Sequence, residues 1–454
     1  MKKVITYGTF DLLHEGHYNL LQRAKALGGY LIVGVTTERY DSYRGKLNVV
    51  ESLMQRIENV KKTGLADEII IEDHEGQKVG DIDKYRIDIF AIGSDWIGKF
   101  DYLKDFCEVV YLERTKGVSS TILRNQSHGI IKLGVVGSGR IAGRFVPESK
   151  YVSGINVHGV FNPNIESAQR FCDKHSLGMA TDKYNVLLDE VDAVYIATPH
   201  HTHFEYAKEA LATGKHVLCE KPAVLSGIEA SELLATAKSK GVIFLEGIKT
   251  AYTPGFLYLL EMAKSSRIGT IYDIEACFTA LRPEGRREWE AVNGGSFTEL
   301  ASYPLFGIFK LFGIGYSSIC FDSFVNSRGI DVYTKAYLTY GDRIATAKVA
   351  LGAKSEGQMI ITGSNGYIIV ESPWWKTEVF EICYENRELN ERFFNKFKGE
   401  GLRYEISDFV RRIQGNENGG LKILPNEIEA IANVIEKFLK RENVRLIEIN
   451  NTYD

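Results

Sequence analysis

The chain has 454 residues, of which 44% are hydrophobic, 25% charged and 11% aromatic, and its formal net charge is −4. This is the mixture of a folded globular chain; it excludes a disordered or fibrous protein and offers no global basic field for nucleic acid. At roughly 100–200 residues per domain the length gives room for about three domains.

The six cysteines, Cys107, Cys172, Cys219, Cys277, Cys320 and Cys383, form no CxxC pair and stand beside no ligand-spaced histidine, so no metal site is expected from them. The N-terminus reads as a first strand rather than a signal peptide, and no apolar window is long enough to span a membrane. The expectation is a reduced, cytoplasmic protein that handles small molecules, without nucleic-acid or membrane partners, and forms a homo-oligomer.

In chain order, strand patterns appear at Val4–Thr6, Tyr30–Val35, Glu68–Ile71, Ile87–Ile92 and Glu108–Leu112, with amphipathic helical stretches at Tyr18–Leu27 and Leu53–Thr63. Alternating β and α elements predict a parallel sheet covered on both faces. The pattern stops at the polar stretch Asn125–Gly129 and restarts with strands at Ile131–Val136, Ile155–Phe161, Ala193–Ala197, His216–Cys219 and Val242–Leu245. After about Thr250 the grammar changes again. A helix, Gly255–Lys264, leads to strand patterns at Tyr272–Thr279, Lys335–Tyr340, Arg343–Leu351, Gly357–Thr362 and Tyr367–Ser372, then a final helix, Pro425–Glu442. Tight turns between these runs predict a mostly antiparallel sheet. The expected organisation is an α/β nucleotidyltransferase-type domain over 1–126, a Rossmann domain over 130–249, and an α+β sheet domain over 250–454.

The first strand runs into Gly8-Thr9-Phe10-Asp11, and His14-Glu15-Gly16-His17 opens the first helix. Glycine lets the backbone approach a phosphate, a helix N-terminus favours anions, and two imidazoles can stabilise charge growing on phosphorus. This string resembles the signature of the HxGH nucleotidyltransferases. Gly93–Phe100 and Arg114–Thr121 narrow the resemblance to the glycerol-3-phosphate cytidylyltransferases over about 125 residues. The resemblance implies attack of an alditol phosphate oxygen on the α-phosphorus of CTP, with Mg²⁺ offsetting the triphosphate charge. It places His14 and His17 on the triphosphate, Lys46 and Arg114 on phosphates, and Gly8, Thr9 and Phe10 in the nucleotide loop. Asp95 and Trp96 fall where cytosine is recognised, and Ser119 and Thr121 start the helix that caps the site. The stretch around Arg44-Gly45-Lys46 departs from the family, with a one-residue insertion before Arg56, so the acceptor end is the less defined one.

Leu133–Ala142 contains Gly137-Ser138-Gly139-Arg140-Ile141-Ala142 between a strand and a helix, which fits the dinucleotide turn GxGxxA. Asn162 ends the second strand where a carboxylate would favour NAD; an amide tolerates NADPH or NADH and leans to NADPH. Thr198, His200, His201 and His203 follow the third strand pattern of this region, and Glu220-Lys221-Pro222 follows the fourth. Together these strings resemble the glucose–fructose oxidoreductase/inositol dehydrogenase (Gfo/Idh/MocA) family over about 130–440. The resemblance implies that Lys221 is the catalytic lysine, that Tyr303 in Gly294–Pro304 is the acid/base, and that Glu299 stands where aspartate is usual. Thr198, His203 and Glu220 fall at the cofactor edge, with Gly137, Gly139, Arg140, Ile141 and Asn162 around the dinucleotide. Lys221 would lower the Tyr303 pKa by favouring phenolate. A metal at the histidine cluster is not expected. Arg282, Arg286 and Arg287 are either phosphate contacts or solvated charges, and Trp374 and Trp375 read as sheet packing.

The expected function is bifunctional: reduction of a ketose phosphate to an alditol phosphate, then its activation as a CDP-alditol for surface polysaccharide synthesis. The alternatives are CDP-glycerol synthesis, or a reductase acting on an unrelated sugar.

Overall fold

The computed structural model describes residues 2–47, 49, 51–113, 130–283, 285–289, 294–415 and 422–448. The chain divides into two compact units, 1–192 and 193–454.

The first unit opens with β1 (Lys3–Gly8), α1 (Glu15–Ala26), β2 (Tyr30–Thr36), α2 (Glu38–Tyr43), α3 (Leu53–Lys62), β3 (Glu68–Glu72), α4 (Gln77–Tyr85), β4 (Ile89–Gly93) and β5 (Glu108–Leu112). The strands run parallel in the order β3-β2-β1-β4-β5. Both faces of the sheet are covered, which is why its strands read as continuous apolar runs. Leu21 and Ala24 of α1 and Val60 of α3 pack on one face with Val4, Val33 and Val35. Ile82 of α4 and Leu103 pack on the other with Ile5, Ile32 and Phe90. The strand order reverses between β1 and β4, so the carboxyl end of β1 lies at the switch point where such sheets bind ligands.

The unit continues with β6 (Ile131–Val136), α5 (Arg140–Ser149), β7 (Ile155–Phe161), α6 (Ile165–His175), β8 (Met179–Thr181) and α7 (Tyr184–Glu190). Here β6, β7 and β8 are parallel neighbours.

The second unit carries on the same grammar with β9 (Ala193–Ile196), α8 (His203–Ala212), β10 (His216–Glu220), α9 (Gly227–Lys240) and β11 (Phe244–Gly247), the strands again parallel. It then builds α10 (Pro254–Lys264), β12 (Ile271–Thr279), α11 (Ser296–Leu300), α12 (Ser302–Phe312), β13 (Ser318–Val325), β14 (Asp331–Tyr340) and β15 (Arg343–Ala350). The remainder is β16 (Met359–Gly363), β17 (Gly366–Val370), β18 (Val379–Cys383), β19 (Glu391–Phe394), α13 (Leu402–Ile413), α14 (Pro425–Leu439) and β20 (Val444–Glu448).

These nine strands form one sheet in the order β19-β18-β17-β16-β12-β15-β14-β13-β20. It is mixed: hairpins make most pairs antiparallel, but β12 pairs with β15 and β13 with β20 in parallel. Both parallel pairs join strands far apart in sequence, which periodicity cannot foresee. Trp374 is fully buried and its indole N–H donates to the Cys277 carbonyl at 2.9 Å, while Trp375 stacks on Phe278 at 3.6 Å between ring centres. Both tryptophans therefore pack the sheet. Arg282 stands 4.0 Å from Glu288.

Among the described residues no helix is long and apolar enough to cross a membrane. All six cysteines are free thiols.

Candidate functional sites

At the end of β1 the chain turns sharply. Phe10 and Leu12 adopt φ of 51° and 48°, and Phe10 is buried beneath the turn. A Cβ at position 8 would come within 2.9 Å of the Phe10 ring, so this turn requires glycine there. The Asp11 carboxylate accepts from the Glu51 backbone N–H at 2.8 Å, and the Glu51 carboxylate accepts from the Leu12 N–H at 2.8 Å. The loop is thereby tied to the start of α3.

His14 caps α1: its Nδ1 accepts from the Gly16 N–H at 3.1 Å, which leaves Nε2 to carry the proton of the neutral ring. His17 lies one turn on, its ring stacked on that of His14 at 3.9 Å and 19°. Burial, reinforced by His14 and Lys46, holds the His17 imidazole well below the usual histidine range. Its buried Nδ1 meets no hydrogen-bond partner. Lys46 is half-buried, and burial pushes its ammonium down to about 8. Two imidazoles and a lysine side chain converge in one place and form a receptor for a polyanion, because an arriving phosphate favours the protonated forms of His17 and Lys46. Thr9, Asp11, Leu12, His14, His17 and Lys46 line one side of an open cleft of about 420 Å³.

Beneath this cleft lies a network that the sequence did not reveal. Arg56 is fully buried and donates to the carbonyls of Thr9 (2.7 Å), Thr36 (2.8 Å) and Glu51 (3.0 Å). It stands 3.4 Å from the carboxylate of Asp41, which is fully buried as well. Asp41 also accepts from Thr9 Oγ1 at 2.9 Å and pairs with Arg44 at 2.7 Å. The only sequence signal is the charge of Arg56 inside a helix read by its apolar face; the helix that carries Asp41 gave none.

Asp95 and Trp96 sit on a short 3-10 turn after β4 and do not line the cleft. Asp95 pairs with Lys150 at 2.8 Å, and the Lys99 ammonium lies 4.7 Å over the Trp96 ring. Arg114, Ser119 and Thr121 lie outside the described residues.

At the end of β6, Gly137 has φ of 100°, a conformation that favours glycine, and its N–H donates to the Phe161 carbonyl at 2.8 Å. Gly139 opens α5, and a Cβ there would meet nothing within 4 Å, so open space lies over the helix N-terminus. Asn162 donates from its side-chain amide to Ser138 Oγ at 2.9 Å, tying the end of β7 to the glycine turn. No carboxylate occupies that position. Ile141 is half-buried and Arg140 exposed. The turn fits the pyrophosphate of a dinucleotide, and the neutral Asn162 fits either form of the ribose.

In the second unit, Lys221 follows β10 and donates to the Glu299 carbonyl at 2.8 Å, with the Glu299 carboxylate at 4.0 Å. The same carboxylate lies 3.7 Å from His200 Nε2. All three side chains are largely shielded, so a lysine, a carboxylate and an imidazole converge in a partly dry recess. His203 is fully buried at the start of α8. Its ring nitrogens lie 2.9 Å from the Pro222 carbonyl and 3.0 Å from the Thr198 carbonyl. It clamps the segments that carry Thr198 and Lys221. The Thr198 hydroxyl accepts from Thr202 at 2.8 Å. Glu220 is buried and accepts from the Tyr195 hydroxyl at 2.6 Å, and burial raises its pKa.

Tyr303 departs from expectation. It is buried, with its ring edge-on to Phe278 at 5.1 Å, and its pKa is raised well above 10. Burial is the largest cause, and the carboxylates Glu220, Glu405 and Glu246 push the same way. The lysine-lowered phenol expected from sequence is not found, and Tyr303 is held as a neutral O–H. Sequence reasoning also missed Glu246, fully buried on β11 and raised to about 8 by desolvation. A lone carboxylate inside an apolar strand was the available signal.

Residues 5–126 match the model of the cytidylyltransferase-like family, and residues 131–248 match that of the oxidoreductase family with an NAD-binding Rossmann fold. The chain is 51% identical over 124 residues to a glycerol-3-phosphate cytidylyltransferase of Bacillus spizizenii, covering 27% of this chain and 95% of that protein. It is 27% identical over 299 residues to an NADP(+)-linked scyllo-inositol 2-dehydrogenase of Bacillus subtilis, covering 63% of this chain and 90% of the relative. Among solved structures, a 3-ketoreductase from Actinomadura kijaniata aligns with a TM-score of 0.64 at 24% identity. That alignment covers 70% of this chain and 99% of the other, a likeness of fold.

Proposed function

Because the chain belongs to the cytidylyltransferase-like family over its N-terminal part and to the Gfo/Idh/MocA oxidoreductase family over the rest, we propose that it makes a CDP-alditol in two steps. A ketose phosphate is reduced to an alditol phosphate, and the alditol phosphate is then joined to CMP from CTP with release of pyrophosphate. The product is of the kind consumed in building surface polysaccharides. The observation that carries this reading is the presence in one chain of a polyanion receptor at His14, His17 and Lys46 and of the Lys221–Glu299–His200 recess. We read the chain as three domains, 1–126, 130–249 and 250–454, acting in the cytoplasm as a homo-oligomer.

In the transfer step an oxygen of the acceptor phosphate forms a bond to the α-phosphorus of CTP while the bond to the pyrophosphate oxygen breaks. The positive end of the α1 dipole favours the triphosphate. His14 donates from Nε2, and His17 and Lys46, both shifted down by burial, gain protons as negative charge arrives. Stabilisation is strongest where charge builds on the phosphorus oxygens, so these groups act on the transition state. Mg²⁺ bound to the triphosphate would offset part of its charge.

For the reduction, a bound nicotinamide cofactor supplies hydride. Gly139 would leave room for its pyrophosphate beside the left-handed turn at Gly137, and Asn162, carrying no charge, would not repel a 2′-phosphate; NADPH is the preferred form. Lys221 polarises the carbonyl oxygen, and Glu299 holds the lysine in place. Tyr303, kept protonated by burial, is an O–H donor rather than a phenolate.

A five- or six-carbon ketose phosphate is close in size to the six-carbon cyclitol named for the oxidoreductase relative. The transferase relatives are named for glycerol 3-phosphate, which favours a three-carbon acceptor as the second reading. Comparing kcat/KM for fructose 6-phosphate, ribulose 5-phosphate and dihydroxyacetone phosphate with NADPH decides between them. Preference for dihydroxyacetone phosphate over both longer ketoses overturns the first reading and makes the product CDP-glycerol.

A further inference from the structure

The transferase cleft has two walls of different origin. Thr9, His14, His17 and Lys46 form one, and Val152, Ser153, Gly154 and Ile155 form the other. The second wall is the turn between α5 and β7, beyond the stretch that matches the cytidylyltransferase-like family. It is joined to the first by specific bonds. Leu47 and Val152 form a parallel bridge, in which the Leu47 N–H donates to the Tyr151 carbonyl at 2.6 Å and the Ser153 N–H donates to the Leu47 carbonyl at 2.9 Å. The Lys46 ammonium donates to the Lys150 carbonyl at 2.8 Å. Lys150 pairs in turn with Asp95, and the Tyr151 hydroxyl accepts from Lys99 at 3.1 Å.

The departures of the Arg44–Arg56 loop take on meaning in this setting. Arg44 turns to Asp41, Thr9 and Thr36, and Arg56 is wholly buried under the loop. Of these three cations, Lys46 alone lines the cleft, and it is tethered to the second wall. A phosphate-bearing acceptor drawn in by Lys46 therefore lies against Val152–Ile155.

The geometry points to the turn at 150–155 as the acceptor wall of the transferase site, a specificity determinant supplied from outside the transferase domain. This rests on the transferase reading above. It makes acceptor choice a property of the joined chain: the residues that meet the polyol differ from anything a free-standing transferase of 126 residues could offer.

The test uses the full chain and a panel of glycerol, ribitol and glucitol phosphates with CTP. Ser153→Trp fills the cleft and is expected to raise acceptor KM roughly tenfold or more, with CTP KM within about twofold of wild type. Val152→Ala opens the same wall and is expected to shift preference toward the longer alditol phosphates by about threefold. Circular dichroism and fluorescence titration with NADPH check folding; if Ser153→Trp fails them, Val152→Ala decides. Unchanged acceptor KM values and preference in the folded variants overturn the proposal while leaving the transferase reading intact, as does a change confined to CTP KM. A wild-type chain that transfers no cytidylyl group to any acceptor overturns both.

Discussion

Arg56→Met probes the network under the transferase loop. Methionine occupies much of the same volume, so the loss is electrostatic rather than one of packing. The variant deprives the carbonyls of Thr9, Thr36 and Glu51 of their donor and removes a positive charge 3.4 Å from fully buried Asp41. Removing one member of a buried pair costs about 3–5 kcal/mol. Asp41 keeps Arg44 at 2.7 Å and the hydroxyl of Thr9 at 2.9 Å. The lower end, about 3 kcal/mol, therefore applies. At about 2–4 °C per kcal/mol for a unit of this size, melting of the first unit falls by roughly 6–12 °C. Urea and thermal unfolding of the full chain, followed by circular dichroism and by transferase turnover, measure it. The double variant Asp41→Asn, Arg56→Met removes both charges and recovers part of the loss. A cost under about 1 kcal/mol, the range of exposed pairs, or a double variant less stable than the single, would refute the reasoning.

His17→Ala lowers cytidylyl transfer by roughly 10²-fold or more while NADPH oxidation is retained, and Lys221→Ala does the reverse; loss of both activities in either folded variant argues against separate sites. Lys46, held at about 8 by burial, offsets phosphate charge only when protonated. Transferase kcat/KM in wild type therefore falls as pH rises through about 8, and Lys46→Arg, whose charge persists, moves that limb beyond the alkaline range; a wild-type profile flat across this region contradicts the assignment. Glu246 has a folded pKa near 8, raised above its ordinary value of 4.5, so the folded chain holds a proton there that the unfolded chain releases. Its stabilising protonation is complete below the unfolded pKa and is lost as pH rises through the folded one, a slope of at most about 1.4 kcal/mol per pH unit that Glu246→Gln removes. Urea midpoints measured across this window check it; an equal slope in the variant counts against it.

Much of the fold was legible because its strands are short, β-branched and bounded by glycine or polar turns. The runs at Glu108–Leu112, Ile131–Val136 and Ile155–Phe161 coincide with β5, β6 and β7 to the residue. Among the elements that did not stand out are the helices α2, α4, α6, α7, α11, α12 and α13 and the strands β8, β13, β18, β19 and β20. Helix α12 is buried nearly all round and has no polar stripe to set a period, while β19 and β20 are short and largely exposed. In the sites, motif spacing picked out His14, His17, Gly137 and Lys221 because each sits at a strand-to-helix turn with its own local signature. Asp41, Arg56, Glu246 and His200 owe their roles to contacts across the fold. Tyr303 shows the limit most clearly: its position could be read from a motif, but the sign of its pKa shift depends on burial and on three distant carboxylates.

The central claim is that one chain reduces a ketose phosphate and activates the product. Its most direct test is mass spectrometry of the nucleotide products formed by the full chain from CTP, Mg²⁺, a ketose phosphate and NADPH deuterated at the transferable position. The account predicts a CDP-alditol whose carbon chain matches the ketose supplied and which carries one deuterium. A CDP-linked product that appears only when glycerol 3-phosphate is added, and that carries no deuterium, would contradict it.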